Sequence, residues 1–294
     1  MDAKFHFAMN AIKSDEVGRL EELVRQDPSL ATDRSTTSHP TLLQCLVLDR
    51  KGSAKILDMA RILIDAGAEL NGPLVACASI DNVEAAALLL DCGAAVNGTG
   101  GWSPLEEALY WNSQGVKALL LRRGASIHNL RIAAGLGRTD LIQGFFNTDG
   151  SLKAEAGKIN WPWGDLEVIR QSGHDQAGKE RLMLRVRSWA NDDQDVINNA
   201  FVFACMHGHR DAATFLLQKG AENNAIPGGF DFSGTALHYA ALNGHLGMAE
   251  FLVERGADAN IKDTKIGGMP AGWAEYGRHP EVKAYLERIV QERL

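Results

Sequence analysis

One short pattern recurs along the chain and limits what it can fold into. Five glycines, Gly67, Gly93, Gly124, Gly220 and Gly256, are each preceded at three and four positions by two aliphatic residues and followed by alanine. Seven positions before the glycine stands Ala60, Ala86, Ala213 or Ala249, with Lys117 as the exception. Four positions after it stands Asn71, Asn97, Asn224 or Asn260, with His128 as the exception. Apolar residues at −7, −4 and −3 share one face of a helix. A glycine just past a helix end takes the left-handed conformation without a Cβ penalty. The asparagine predicts a tight turn, its side chain bonding its own backbone.

Between these glycines lies text for a second, shorter helix. Its clearest form is Thr235-Ala236-Leu237-His238-Tyr239-Ala240-Ala241-Leu242, ended by Asn243-Gly244-His245. Another copy begins Ser103-Pro104-Leu105-Glu106-Glu107-Ala108. There Ser103 is placed to cap, Pro104 occupies the first helical position, and Glu106 completes a capping box.

This text resembles the ankyrin repeat, most closely over residues 233–260, where T-A-L-H-Y-A-A is followed by Gly244-His245 and Gly256-Ala257-Asp258-Ala259-Asn260. The resemblance implies an all-α solenoid of about eight helix-turn-helix units with short β-turn tips. The units fall at about 5–33, 39–71, 72–97, 98–128, 129–146, 195–224, 230–260 and 264–294. The first is degenerate, and the last ends in the polar text of a capping repeat. Residues 147–194 break the pattern as one long insertion, giving N-terminal repeats over 1–146 and C-terminal repeats with their cap over 195–294. Each repeat contacts mainly its neighbours, so the two arrays are expected to unfold separately. The insertion contains the cluster Trp161-Pro162-Trp163 and an amphipathic helix over 178–189. In that helix Leu182, Leu184 and Val186 oppose a solvated stripe of Lys179, Arg181, Arg185 and Arg187.

The resemblance also implies where a partner would bind: the turn tips and the solvent side of the shorter helices. Carried over position by position, this selects Trp102, Tyr110 and Trp111 in the fourth unit. It selects Ile80 in the third, Met206 and His207 in the sixth, Phe232, Leu242 and Asn243 in the seventh, and Tyr276 in the last. Three aromatics in one unit make an interface anchor if they are exposed. They make an internal cluster if the insertion or a rearranged turn covers them.

Nothing in the sequence carries enzyme chemistry in a recognised arrangement. His238, His209, His245 and His279 occupy positions where the family's histidines bond between turns, and His207-Gly208-His209 lacks further ligands at metal-site spacing. His174, Asp175, Asp192, Asp193 and Asp195 gather around the insertion, where the acidic run favours the start of a helix. There is no phosphate-binding glycine loop and no nucleophile elbow. We therefore expect no catalytic residue, no metal and no cofactor.

The 30 basic and 37 acidic residues leave a formal charge of −7, which disfavours a broad nucleic-acid or anionic-membrane surface. Four cysteines without a C-x-x-C pair, no apolar leader and no long uncharged apolar stretch fit a reducing, cytoplasmic setting. The expected function is a non-enzymatic scaffold that binds a protein or peptide in its concave groove. The alternative is an enzyme or small-molecule binder using a pocket between the insertion and the aromatic groove.

Overall fold

The glycine pattern marks real helix ends. In a computed structural model of the chain all five repeat glycines have positive φ, from 84° at Gly124 to 100° at Gly93. The structure describes residues 3–35, 40–160, 169–170, 174–190, 192–231 and 233–292. Among these the regular structure is helical, with one isolated antiparallel bridge between Phe146 and Leu152. Trp161, Trp163 and Phe232 lie outside the described residues.

The chain forms two compact units, Met1–Ser126 with Pro162–Arg185, and Ile127–Trp161 with Val186–Leu294. In the first unit the helices are α1 (His6–Lys13), α2 (Val17–Gln26), the single turn α3 (Ser29–Thr32), α4 (Leu42–Asp49), α5 (Ile56–Asp65), α6 (Asn71–Ser79), α7 (Val83–Asp91), α8 (Pro104–Tyr110) and α9 (Gln114–Arg122). Helices α1, α4, α6 and α8 pack in sequence as one layer, and α2, α5, α7 and α9 as a second. Helices this short are marginal alone in water, so the layering supplies their stability. In α5, Ile56, Met59, Ala60 and Leu63 are buried, as the −7/−4 spacing predicts.

The second unit repeats the plan. It contains α10 (Leu130–Gly135) with α11 (Thr139–Ile142); beyond α12 (Gln176–Arg187), whose last two residues belong to this unit, come α13 (Asp193–Met206) with α14 (Arg210–Gln218), α15 (Ala236–Leu242) with α16 (Leu246–Glu254), and α17 (Pro270–Tyr276) with α18 (Pro280–Glu292). Helices α10, α13, α15 and α17 form the inner layer. The fifth helix pair, α10 and α11, thus lies in the same unit as the C-terminal pairs, and α10 packs directly on α13.

The turn asparagines bond forward rather than to their own backbone. The side-chain oxygens of Asn71, Asn97 and Asn224 accept from the backbone N–H of Ala95, Ser126 and Asp258, at 2.9, 2.8 and 2.9 Å. Each of these donors is two residues past the next repeat glycine. Asn198 does the same to Glu222 at 2.8 Å, although it lies inside α13. The own-backbone expectation fails because the next pair presents a turn N–H at hydrogen-bond distance. Asn260 instead donates its backbone N–H to the Asp258 carboxylate at 2.9 Å.

The first stretch of the insertion folds onto the second unit. Arg131 on α10 is buried and donates to the carbonyls of Lys158 and Asn160 at 2.5 and 3.1 Å. Ile159 is buried beside Gly229, where a Cβ would come within 2.9 Å of its Cγ2. Helix α12 forms, but Leu184 is 71 % exposed while Leu182 and Val186 are half-buried. The expected face of Leu182, Leu184 and Val186 is therefore corrected: residues two apart on a helix point to different sides.

Candidate functional site

The aromatic residues of the fourth helix pair are held by an acid that the sequence pattern does not anticipate. Helix α8 begins with the expected capping box: Glu106 donates its backbone N–H to the Ser103 hydroxyl at 3.2 Å, and the Glu106 carboxylate accepts the Ser103 N–H at 2.8 Å. One residue on, Glu107 is 6 % exposed. Its two carboxylate oxygens each accept an indole N–H, Oε2 from Trp102 at 2.6 Å and Oε1 from Trp111 at 2.9 Å. Trp111 follows Glu107 by one helical turn, and Trp102 reaches forward from the preceding turn. Tyr110 fills the space between, edge-on to both rings, with centroids 6.2 Å from Trp102 and 5.1 Å from Trp111.

Burial pushes the Glu107 carboxyl up to about 7, against the opposing pull of the Trp102 and Trp111 donors and with the neighbouring Glu106 charge adding to the rise. Asp263 in the second unit shows why two indoles are too few. Burial also works to raise Asp263, yet it accepts from the backbone N–H groups of Lys265, Ile266 and Gly268 as well as the Trp273 indole, and these hold it below the usual carboxylate range. Four donors outweigh burial at Asp263, and burial outweighs two donors at Glu107.

The three aromatics are brought together, but only one is offered to solvent. Trp102 and Tyr110 are buried, and Trp111 is 49 % exposed. Of the two alternatives the sequence left open, Trp102 and Tyr110 follow the internal one: the indole N–H of Trp102 turns inward to Glu107, and Tyr110 packs against both tryptophans. Ile80, at the matching position of the third pair, is half-buried.

In the second unit, Met206 is also corrected to a core residue. It is 1 % exposed, because α13 is covered by α10 on one side and α15 on the other. His207, Leu242 and Asn243 are half-buried, and Tyr276 is 85 % exposed. The Asn243 side chain donates to the Tyr239 carbonyl at 2.9 Å, and His207 stacks on His209 at 6.1 Å.

The histidines serve the scaffold. His238 Nδ1 accepts the Thr235 N–H at 3.1 Å, so its Nε2 is the donor to the Gly268 carbonyl at 3.1 Å in the neutral ring. His209 Nε2 lies 3.1 Å from the Gly135 carbonyl of the preceding pair. Among the described residues no group of three or more His, Cys, Asp and Glu is arranged to hold a metal ion.

Residues 173–263 match the family model for ankyrin repeats, in three copies. Over that span the chain carries ankyrin repeats. No curated protein matches it. In ankyrin-repeat terms, Glu107 stands at the x of T-P-L-H-x-A, the position held by Tyr239 in the seventh pair and Trp273 in the last. Those two rings pack edge-to-edge at 5.1 Å. An acid at this slot with a tryptophan five residues before it and another four after it is the sequence signal that could have found it.

Proposed function

We propose that this ankyrin-repeat chain is a non-enzymatic scaffold that binds a protein or peptide through its inner-helix face in a cytoplasmic setting. Ankyrin repeats generally mediate protein–protein interactions, and no described helix is long and apolar enough to cross a membrane. The observation that carries the reading is the half-exposed Trp111, whose indole is fixed from behind by a buried acid. A rigid aromatic with one face in solvent has the chemistry of an interface anchor and loses little entropy on binding. Ile80 in the first unit, and His207 and Asn243 in the second, occupy the Trp111 register of their own pairs, and Leu242 and Tyr276 that of Tyr110; they are the further proposed contact residues. Trp102 and Tyr110 shape the Trp111 surface from beneath.

We read the array as about eight repeats, over residues 1–146 and 195–294, with residues 147–194 as an insertion. Arg131, a buried side chain bonded to the carbonyls of 158 and 160, supports an insertion whose first stretch is part of the scaffold. The test is affinity capture with the wild-type chain and with Trp111→Ala and Tyr276→Ala, each verified as folded by circular dichroism. Partners held by wild type and lost by the variants support the reading. Partners retained equally by all three would overturn this surface.

A further inference from the structure

We propose that Glu107 is a proton-controlled latch on the exposed indole of Trp111. The ionised carboxylate holds Trp102 and Trp111 together, and on taking up a proton it releases Trp111 and keeps Trp102.

The asymmetry of the two bonds sets the direction. An ionised carboxylate only accepts, and it has an oxygen for each indole. When a proton from solvent bonds to one oxygen, that oxygen becomes a hydroxyl and a poorer acceptor. The Trp102 bond is the shorter, 2.6 Å against 2.9 Å, and Trp102 is buried. Releasing its N–H would break the shorter bond in a site shielded from water, which is the costlier loss. Trp111 is half in solvent, so its N–H exchanges the carboxylate for water at little cost. The proton therefore goes to Oε1 and the freed indole is Trp111.

The surroundings place the transition near neutrality. Burial raises the Glu107 carboxyl, the two indoles lower it, and Glu106 on the same helix raises it. Helices α6 and α9 pack against α8. From α6 the titratable group is Cys77, a buried thiol pushed up to about 12 and hence uncharged. From α9 the charged groups are Lys117 and Arg122, and neither figures among the influences on Glu107. No cation among these groups offsets its charge.

This inference concerns the latch itself and holds whether or not Trp111 contacts a partner. It is tested by proton–nitrogen correlation spectra of the isotope-labelled full chain, following the indole N–H signals from about pH 5.5 to about pH 8.5. The Trp111 signal is assigned by its loss in Trp111→Phe. In wild type, two indole signals should titrate with a common midpoint near 7, that of Trp111 moving further. In Glu107→Gln both should become independent of pH. In Trp111→Phe the Trp102 signal should still titrate, with a higher midpoint, because one donor that favours the ionised form is gone. Flat indole signals in wild type, or a titration that survives Glu107→Gln, would overturn the latch. Should Glu107→Gln fail to fold, the direction of the midpoint shift in Trp111→Phe decides.

Discussion

Glu107 and His238 occupy neighbouring slots of the repeat, x and H of T-P-L-H-x-A, and give opposite pH signatures. Glu107 is raised from 4.5 to about 7 on folding. Between those values the folded state holds the extra proton, so its contribution is present at low pH and is lost as pH rises through 7. Relative to Glu107→Gln, the wild-type chain should lose stability between about pH 5 and pH 8, by on the order of 3 kcal/mol. Urea denaturation of both chains at the two ends of that range measures it, and parallel pH profiles would contradict it. His238 is lowered by burial, which outweighs its bond to Gly268 and the nearby Asp263 charge. Its contribution is full above 6.5 and is lost as pH falls from there to the lower folded value, because the unfolded chain takes up the proton first. Acid unfolding should therefore begin earlier in wild type than in His238→Gln, a variant that cannot charge.

At this scale the sequence was only partly legible. It identified Trp102, Tyr110 and Trp111 as a group but not which of them faces water. The pattern gives a side chain's register on its own helix. The inward turn of Trp102 depends on a carboxylate five residues away, and that carboxylate sits in a slot the family pattern leaves unspecified. Met206 failed for a different reason: helix α13 is covered by neighbours on both sides, and coverage is a property of the stack.

Helices and turns were far more legible, because each boundary has a local cause. The repeat glycines, the Ser103–Glu106 box and Pro104 all act as the spacing predicts. Two glycines separate conformation from packing. Gly124 has φ 84° and open space around a notional Cβ, so Gly124→Ala should cost only the left-handed penalty, about 1–2 kcal/mol. Gly137 has φ 65°, and a Cβ there would stand 2.7 Å from Nδ1 of His209. Gly137→Ala should cost clearly more, since it must also displace the ring that lies 3.1 Å from the Gly135 carbonyl. Equal losses in thermal melts of the two variants would refute the packing argument. What local pattern missed was the forward reach of Asn71, Asn97, Asn198 and Asn224. Asn198 has no repeat glycine before it, Gln194 standing there instead, so nothing in the five-glycine pattern singles it out. Asn224→Ala should leave the Asp258 N–H unpaired and cost about 1 kcal/mol, readable as faster hydrogen exchange at Asp258.

For the whole molecule, the pairwise logic of repeats governs stability, and the fifth helix pair is where it has the clearest consequence. Helix α10 buries Leu130, Ile132, Ala133 and Ala134, and it packs on α13. Residues 127–146 should therefore unfold together with the C-terminal pairs. A fragment covering 127–294 should melt higher than one covering 193–294, and equal melting temperatures would contradict this. The expectation drawn from the break in the pattern, that residues 1–146 and 195–294 unfold separately, places α10 in the other array, so the same pair of fragments tests both.

The central claim is that partners meet the inner-helix face of the array. Site-specific photo-crosslinking tests it most directly: a photoreactive residue is placed in turn at Ile80, at Tyr276 and at Leu121, an exposed residue on outer helix α9. Covalent adducts are expected from positions 80 and 276, each on the inner-helix face of its own unit, and none from 121. Adducts from 121 alone would contradict the claim.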